Sequence, residues 1–197
     1  MFTLLKSLVY KLILKSLGVK IGRKFICKKF PQLRILGNYS NIVIGNGVQI
    51  LGCIDLRNGG SGSIIIQDDV KIEELCRFVT AKTGEIKICN NSIITRGTII
   101  NGGGNVKIGK NCIIGPYNII NANDHSVKNR NKIINREFIH GDVEIEEDCW
   151  TGAFVSIIHN TKIKIGSVVG AYSFVNKNTD PYSINVGVPS KKIRERD

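Results

Sequence analysis

The sequence repeats with a period of six residues, and this period limits the possible folds more strictly than any other feature. Eighteen positions fall into six groups of three anchors. Ile, Leu, Val or Phe occupies seventeen of them, whereas a chain with 42% apolar residues would supply about eight by chance. Only Thr151 departs from the rule. The anchors are Ile44, Ile50, Leu56; Ile66, Ile72, Phe78; Ile88, Ile94, Ile100; Ile108, Ile114, Ile120; Ile145, Thr151, Ile157; and Ile163, Val169, Val175.

The residue four positions after an anchor is mostly small or β-branched, as at Val48, Cys76 and Ser173. This pattern is expected when each hexad forms one short strand followed by a tight corner, with the anchor filling the interior. Three hexads then form one triangular coil, so the sequence predicts an all-β solenoid. Extra residues at 59–62 and 102–105 lengthen one corner of the early coils.

The hexad pattern also predicts the backbone conformation at the corners of the coil and the position of one long interruption of the repeat. Asn160 and Gly45 fall at corners, where a left-handed backbone conformation is easily tolerated.

The six-residue period stops between Ile120 and Ile145, so residues 121–144 are predicted to leave the coil as a protruding loop. A long irregular loop in a regular solenoid is more often functional than accidental.

Residues 1–20 follow a different periodicity, with apolar side chains at helical spacing and lysines opposite them. We expect a short amphipathic helix whose apolar face covers the open end of the first coil. Peripheral contact with an anionic membrane surface is the alternative interpretation. The predicted division is a helix at 1–20, a β-helix domain at 21–177 and a C-terminal tail at 178–197. The apolar residues of the helix are Leu5, Leu8, Val9, Leu12 and Ile13, and the opposing lysines are Lys11 and Lys15.

The charge and cysteine content narrow the classes of function. The chain has 28 Lys and Arg against 16 Asp and Glu, a net charge of +12, so an anionic partner is expected. No helix-turn-helix or aromatic RNA-binding motif accompanies this charge, which argues against nucleic acid. Six cysteines without a C-x-x-C pair predict no metal site. Lysines interrupt the first apolar stretch, so we expect neither a signal peptide nor a membrane span, and a cytoplasmic location.

Three ordered motifs in the second half carry a family resemblance. C-W-T-G-A at 149–153 resembles the V-W-I-G-x segment of the hexapeptide-repeat acyltransferases. V-G-A-Y-S-F-V-N-K at 169–177 resembles their I-G-A-G-S-V-V-T-K, and G-V-P-S-K-K-I-R at 187–194 resembles the closing G-x-P-A-K-x-I-R. The chain is most similar to the maltose, nodulation and xenobiotic O-acetyltransferase group and its capsule- and lipopolysaccharide-modifying relatives. This resemblance implies a left-handed parallel β-helix, a homotrimer, and acetyl-CoA bound in a groove between subunits.

The resemblance also assigns roles to individual positions. His125 matches the family's catalytic histidine. Ala153 and Ala171 match positions along the pantetheine arm of the cofactor, and Asn123 and Trp150 match the acceptor side. Positions near the adenosine and phosphate end are Asn176, Lys177, Lys191 and Arg194. Asn176 and Ser190 stand where the family has Thr and Ala, and Thr151 replaces an Ile. The match to the family is therefore weaker at these three positions.

The chemistry of these residues favours acyl transfer to a sugar hydroxyl. A hydroxyl attacks a thioester only when a base removes its proton, and an imidazole that titrates near neutrality is suited to that task. His125 is therefore the predicted base, whereas His140 and His159 are expected to be structural or exposed. No Ser or Cys stands in a recognised nucleophile motif, so direct transfer is preferred to an acyl-enzyme.

Three alternative functions compete with this prediction. An N-acetyltransferase acting on an amino sugar or a nucleotide sugar is the second choice, behind an O-acetyltransferase acting on a surface polysaccharide or its precursor. A non-catalytic β-helix scaffold is the alternative of another class, although it would lack the histidine loop and the basic C-terminal motif. A β-helical carbonic anhydrase needs two zinc-binding histidines four residues apart, whereas the histidines here are 15 and 19 residues apart.

Overall fold

The computed structural model describes residues 2–128, 130 and 132–197, so Met1, Asn129 and Asn131 of the predicted helix and loop lie outside the described residues. The chain begins with helix α1 (Phe2–Ser16), and short 3-10 helices lie at Tyr39–Asn41 and Ile133–Asn135. The strands are β1 (Lys20–Ile21), β2 (Ile26–Cys27), β3 (Gln32–Ile35), β4 (Ile42–Ile44), β5 (Gln49–Ile50), β6 (Asp55–Asn58), β7 (Ser63–Ile66), β8 (Lys71–Ile72), β9 (Arg77–Thr80), β10 (Glu85–Ile88), β11 (Ile93–Ile94), β12 (Ile99–Gly102), β13 (Val106–Ile108), β14 (Ile113–Ile114), β15 (Ile119–Asn121), β16 (Asn123–His125), β17 (Phe138–His140), β18 (Val143–Ile145), β19 (Trp150–Thr151), β20 (Ser156–Ile157), β21 (Thr161–Ile163), β22 (Val168–Val169), β23 (Phe174–Val175), β24 (Ser183–Val186) and β25 (Lys191–Glu195).

Three parallel sheets form the sides of a triangular prism. Sheet A has the order β1-β4-β7-β10-β13-β18-β21, and sheet C has the order β3-β6-β9-β12-β15-β20-β23. Sheet B runs β2-β5-β8-β11-β14-β19-β22-β24 and ends with the antiparallel strand β25. The chain visits A, B and C in turn, so each circuit is one coil, and about seven coils form a left-handed parallel β-helix. The predicted fold class is confirmed.

The interior of the prism consists of the predicted anchors. All eighteen are at most 3% exposed, including Thr151, and they stack in register from coil to coil. The smaller residues four positions later are also buried beside the corners. The hexad therefore has a simple physical cause: each short strand points its anchor into a narrow core, the corner that follows buries a smaller residue, and apolar side chains fill this core at native density.

The solenoid extends one coil further at the N-terminal end than the hexad count indicates, and one sheet B strand, β24, further at the C-terminal end. Strands β1 to β3 form a first coil, with Ile21 and Cys27 buried and Leu33 half-buried. Residues 178–197, predicted as a tail, contain β24 and β25, and the Arg196 guanidinium holds the end of the chain by pairing with Asp148 at 2.9 Å. Terminal coils contact a neighbour on one side only, so their anchors are less strictly apolar and the pattern fades there.

The corners contain the left-handed residues that a sharp turn requires. Asn111 and Asn160 have φ values of 58° each, which agrees with the prediction for Asn160. Gly47, with φ 67°, occupies the left-handed position that was predicted for Gly45. The correction has a steric reason: a Cβ on Gly45 would lie 2.3 Å from the Asp68 side chain, so Gly45 is required for close approach between coils.

The corner at which the chain passes from sheet C to sheet A, hereafter the C–A corner, contains the longer connections. Residues 59–62 and 103–105 lie there, as predicted from the spacing of the early coils. Strands β16 and β17 lie at the same corner and project from it. The protruding loop is therefore the largest of a series of insertions on a single edge of the prism.

Helix α1 covers the N-terminal end of the prism through a different face from the one predicted. Ser7 and Leu14 are buried, and the Ser7 hydroxyl accepts a 2.9 Å hydrogen bond from the backbone N–H of Cys27. Lys11 donates to the carbonyl of Gly22. The exposed edge of the first coil presents backbone N–H and C=O groups, which need polar partners, so the helix turns its serine and lysine toward it. Of the described residues, no helix is long and apolar enough to cross a membrane.

Candidate active site

A two-stranded hairpin presents His125 at the C–A corner. The chain leaves sheet C after β15, runs out along β16, and returns along β17 before entering sheet A at β18. In the antiparallel register, Asn123 is opposite His140 and His125 is opposite Phe138. Since side chains alternate along a strand, His125 and Asn123 lie on the same face of the hairpin as Phe138 and His140.

The exposed imidazole of His125 packs against the ring of Phe138, with ring centroids 4.3 Å apart and planes inclined by 39°. The Asp124 carboxylate accepts a 2.8 Å hydrogen bond from the backbone N–H of His125. Asp124 thus holds the backbone at this position, and the aromatic contact restricts the imidazole. Phe138 was not predicted from the sequence, although the alternation Phe138-Ile139-His140 indicates a short strand.

Three consecutive glycines let the hairpin sit close to the coil. A Cβ on Gly103 would lie 2.6 Å from Cβ of Asn123 and 2.6 Å from Nδ1 of His140, so no larger residue fits without displacing the hairpin. His140 was predicted to be structural or exposed. It is half-buried, and neither of its ring nitrogens has a hydrogen-bond partner in the described part of the chain.

A pair of asparagines lies beside the base of the hairpin. The Asn101 amide donates a 2.7 Å hydrogen bond to the Asn121 side-chain oxygen, and the two residues are register partners on β12 and β15 of sheet C. Neither was predicted as a site residue. The sequence gives little indication of their role, because each simply follows an anchor. Polar residues that point outward follow anchors at many places in the coil.

The basic residues predicted near the phosphate end lie two coils beyond His125. Asn176 and Lys177 follow β23 at the C–A corner, so along the prism axis they are about 10 Å from the point where the hairpin begins. Lys191 and Arg194 lie on β25, and Arg194 contacts Asp197 at 3.3 Å. All four are exposed, and Lys177 and Ser190 line a cavity of about 150 Å³.

Lys192, the other lysine on this cavity, is neutralised by its neighbours. It pairs with Glu195 at 3.0 Å and Asp180 at 3.4 Å, and the hydrogen bond with Glu195 raises the pKa of Lys192 above its usual value. Among the described residues, Lys177 and Lys191 form no ion pair. Their charges therefore remain available to an anionic ligand.

The remaining predicted residues lie away from the hairpin in this chain. Ala153 and Ala171 occupy the corner between sheets B and C, hereafter the B–C corner, on consecutive coils, and the backbone N–H of Tyr172 donates to the Ala153 carbonyl at 2.9 Å. Trp150 projects outward from sheet B and is 52% exposed. Sheet C therefore separates these residues from His125, and within one chain they do not form a single pocket.

An exposed aromatic column runs along the B–C corner. Tyr117, Phe154 and Tyr172 stack with centroids 5.1 Å apart and planes within 12° of parallel. Each stands three residues before a sheet C anchor and has φ 57°, the left-handed corner conformation. That constant offset is a sequence signal for the column. With Ile113 and Trp150 beside it, the column forms an apolar surface, which we call the B–C patch.

The parallel β-helix, the histidine hairpin at one corner and the basic C-terminal strand pair agree with what the motifs' resemblance to the hexapeptide-repeat acyltransferases implies. Comparison with known proteins supports this class. No family model matches the chain. A "Probable acetyltransferase" of Mycobacterium tuberculosis is 28% identical over 119 residues, which are 60% of this chain and 40% of that protein. The dTDP-4-amino-4,6-dideoxy-D-glucose acyltransferase of Escherichia coli is 28% identical over 174 residues, covering 84% and 86% of the two chains.

Solved structures show the same fold. A hexapeptide-repeat acetyltransferase of Vibrio cholerae complexed with acetyl-CoA is 25% identical, with a TM-score of 0.52 and 71% of each chain covered. AntD, an N-acyltransferase from Bacillus cereus in complex with dTDP and 3-hydroxybutyryl-CoA, has a TM-score of 0.66 at 22% identity, covering 95% of this chain and 88% of AntD. The polySia-specific acetyltransferase NeuO has a TM-score of 0.63 at 20% identity, covering 90% and 81%.

These matches confirm the resemblance to the hexapeptide-repeat acyltransferases. The matched regions, however, are short compared with the first of the curated relatives. The chain spans less than half of the length of the first curated relatives that it matches, 40% of the mycobacterial protein and 27% of a chloramphenicol acetyltransferase from Klebsiella aerogenes.

Proposed function

We propose that this protein transfers an acetyl group from acetyl-CoA to a sugar hydroxyl of a surface polysaccharide or its precursor, with His125 as general base. The observation that carries the proposal is the hairpin, which presents an exposed imidazole at the same corner of the prism as Asn176 and Lys177. The similarity to acyltransferases supports the reaction class, and the complexes of neighbouring proteins with acetyl-CoA and 3-hydroxybutyryl-CoA support an acyl-CoA donor.

The proposed chemistry assigns one task to each part of the hairpin. Acetyl-CoA supplies a thioester carbonyl as the electrophile. The His125 imidazole accepts the proton of the attacking hydroxyl, which raises the nucleophilicity of that oxygen in the transition state. Phe138 restricts the ring, and Asp124 holds the His125 backbone, so little reorganisation accompanies proton transfer. The acetyl group passes directly to the acceptor as its C–S bond to CoA breaks, and the CoA thiolate leaves with the proton that His125 accepted.

Two of the buried thiols support direct transfer rather than an acyl-enzyme. Burial raises the pKa of Cys27 to about 11 and that of Cys76 to about 12, so neither supplies a thiolate at neutral pH. All six cysteines are free thiols, and this supports a cytoplasmic location as part of the proposal.

The basic C-terminal end fits the phosphates of CoA. Lys177, Lys191 and Arg194 are exposed donors at the end of the prism toward which the C–A corner leads. Charge-assisted hydrogen bonds to phosphate oxygens are the strong contacts expected of such groups. We assign Asn176 to the adenosine side, and Ala153 and Ala171 to the pantetheine arm, in a groove completed by a neighbouring subunit.

The proposed assembly is a homotrimer. The B–C patch carries three stacked aromatic rings and Trp150, and an exposed apolar surface of this kind marks a protein interface. A threefold arrangement about the patch lets sheet B of one subunit face sheet C of the next. Trp150 of one copy then approaches the acceptor side of the next copy's hairpin, where Asn123 lies.

A second acceptor class also has specific support. The Escherichia coli relative that covers most of this chain is an acyltransferase of dTDP-4-amino-4,6-dideoxy-D-glucose, so an amino sugar or nucleotide sugar is the second candidate. The two are distinguished by offering acetyl-CoA with matched pairs of hydroxyl and amino sugars and measuring free CoA thiol. Turnover confined to amine acceptors would establish the second candidate and refute the first.

The assignment of the base is tested by replacing His125 with Ala. The transfer rate should fall by roughly 10²- to 10⁴-fold, the usual scale for general-base catalysis, while the acetyl-CoA dissociation constant stays nearly unchanged. Added imidazole should restore part of the rate. Two controls accompany it: His140→Ala, which disturbs the same hairpin, and His159→Ala, at a coil corner. Near-normal turnover of His125→Ala, or a larger loss in His140→Ala, would show that the base is assigned wrongly.

The trimer is tested by light scattering at micromolar protein concentration, where the mass should be three times 21.7 kDa. Trp150→Glu places a charge in the B–C patch and should shift the protein toward a smaller species. Leu36→Glu makes the same chemical change on an exposed residue outside the patch and should leave the trimer intact. A stable monomer with full activity would exclude the shared groove.

A further inference from the structure

The outward face of helix α1 is apolar. At 3.6 residues per turn, the buried side that carries Ser7 and Leu14 points into the first coil, so Leu5, Leu8 and Leu12 point away from it. These three leucines are 62%, 53% and 60% exposed. Leu4, Val9 and Ile13 are exposed beside them, so six large apolar side chains share one helix of 15 residues. A contiguous apolar surface of this kind needs a covering partner.

The end of the prism that carries this face is strongly cationic. The first 54 residues contain nine Lys and Arg and neither Asp nor Glu. Lys6 and Lys15 are exposed on the helix itself, and Arg23, Lys24 and Lys28 are exposed on the first coil directly beneath it. An apolar helical face surrounded by lysines is the composition of a helix that lies in the interface of an anionic membrane.

We propose that α1 docks this protein on an anionic lipid bilayer, with Leu5, Leu8 and Leu12 inserted among the acyl chains. The helix is about 22 Å long and lies across the end of the prism, so it lies flat on the surface. Charge selects this partner over a second copy of the chain, because two such cationic ends would repel each other. The inserted leucines supply apolar burial, and the surrounding lysines and arginines contact the headgroups.

The geometry leaves the candidate active site free. The helix contacts β1 and β2 of the first coil, whereas the hairpin leaves after the fifth coil and the basic cofactor residues follow the seventh. In the proposed homotrimer, three parallel prisms would present three helices to one plane, which raises the avidity for the bilayer without any new contact. The docking itself requires neither the trimer nor acetyl transfer.

The test is flotation of the full-length protein with vesicles made of equal parts phosphatidylglycerol and phosphatidylcholine, or of phosphatidylcholine alone. We expect the protein to float with the anionic vesicles, to float far less with the neutral ones, and to be released in about 1 M salt. Leu12→Glu should lower the partition coefficient by about tenfold, since it removes one inserted side chain. Val127→Glu is the control, because Val127 is 77% exposed on the hairpin that leaves after the fifth coil, and it should change partitioning less than about twofold.

Both variants alter exposed side chains, so unchanged thermal unfolding and CoA binding should verify the fold. Equal flotation of Leu12→Glu and the unaltered protein would overturn the proposal, as would the absence of flotation with anionic vesicles. A smaller assembly in Leu12→Glu, measured by light scattering, would overturn it in favour of a contact between copies of this chain. Since flotation does not depend on catalysis, failure of the proposed acetyl transfer would leave this result unaffected.

Discussion

The polar anchor Thr151 offers the sharpest test of how the core is held together. It lies in the interior with no exposed surface, and its hydroxyl oxygen accepts a 2.6 Å hydrogen bond from the Asn118 side-chain amide. The Asn118 side-chain oxygen in turn accepts a 2.7 Å bond from the backbone N–H of Val155. These three residues form a buried polar chain that links two successive coils.

Replacing Thr151 with Val keeps the shape and removes the acceptor. The backbone N–H of Gly115, which also contacts the hydroxyl, keeps its 2.9 Å bond to the Thr151 carbonyl, so only the Asn118 amide is left without a partner. A buried unsatisfied donor costs about 1–3 kcal/mol, and the added methyl group returns about 0.8 kcal/mol. We therefore expect the free energy of unfolding to fall by about 1–2 kcal/mol.

The assay is urea unfolding followed by circular dichroism, at one fixed protein concentration because assembly makes stability concentration-dependent. The same substitution in an Asn118→Val background provides the control, since a valine side chain has no donor; Val155 occupies the equivalent position one coil later. There the cost of Thr151→Val should fall to about 0.5 kcal/mol or less. Equal costs in the two backgrounds, or a Thr151→Val protein as stable as the original, would refute the proposed role of the hydrogen bond.

The remaining predictions concern charge, thiols and the hairpin. The hydrogen bond from Lys107 lowers the pKa of Glu144, so this carboxylate stabilises the fold above its unfolded pKa and the contribution is lost as pH falls through the lowered value. Glu144→Gln should therefore cost at most about 1 kcal/mol at pH 7 and flatten the acid limb of a thermal unfolding curve. Cys27 and Cys76 should react with iodoacetamide at pH 8 at least about 100-fold more slowly than in urea, judged by mass spectrometry of the modified peptides. Gly103→Ala should displace the hairpin and lower kcat while leaving acetyl-CoA affinity unchanged, as steady-state kinetics would measure.

The sequence alone determined the solenoid, because each strand and its corner take six residues and place one large anchor in the core, which leaves a strict period. It also located the protruding segment, since an insertion stops the period. The resemblance of three motifs supplied the left-handed coil and the expected site residues. Even Thr151 was visible as an exception, although its reason lies in Asn118, which is 33 residues away along the chain and adjacent only after folding.

Only the tertiary structure decided which surfaces meet. Helical periodicity predicted that Leu5, Leu8 and Leu12 would cover the first coil, yet the coil edge offers backbone groups that Ser7 and Lys11 satisfy. The hairpin register that brings Phe138 against His125 depends on pairing across twelve intervening residues. Periodicity reports how often a side chain is buried, whereas the partner that buries it is fixed by contacts between segments distant in sequence. For that reason the core was predictable from the sequence, and the faces that the protein presents to its partners were not.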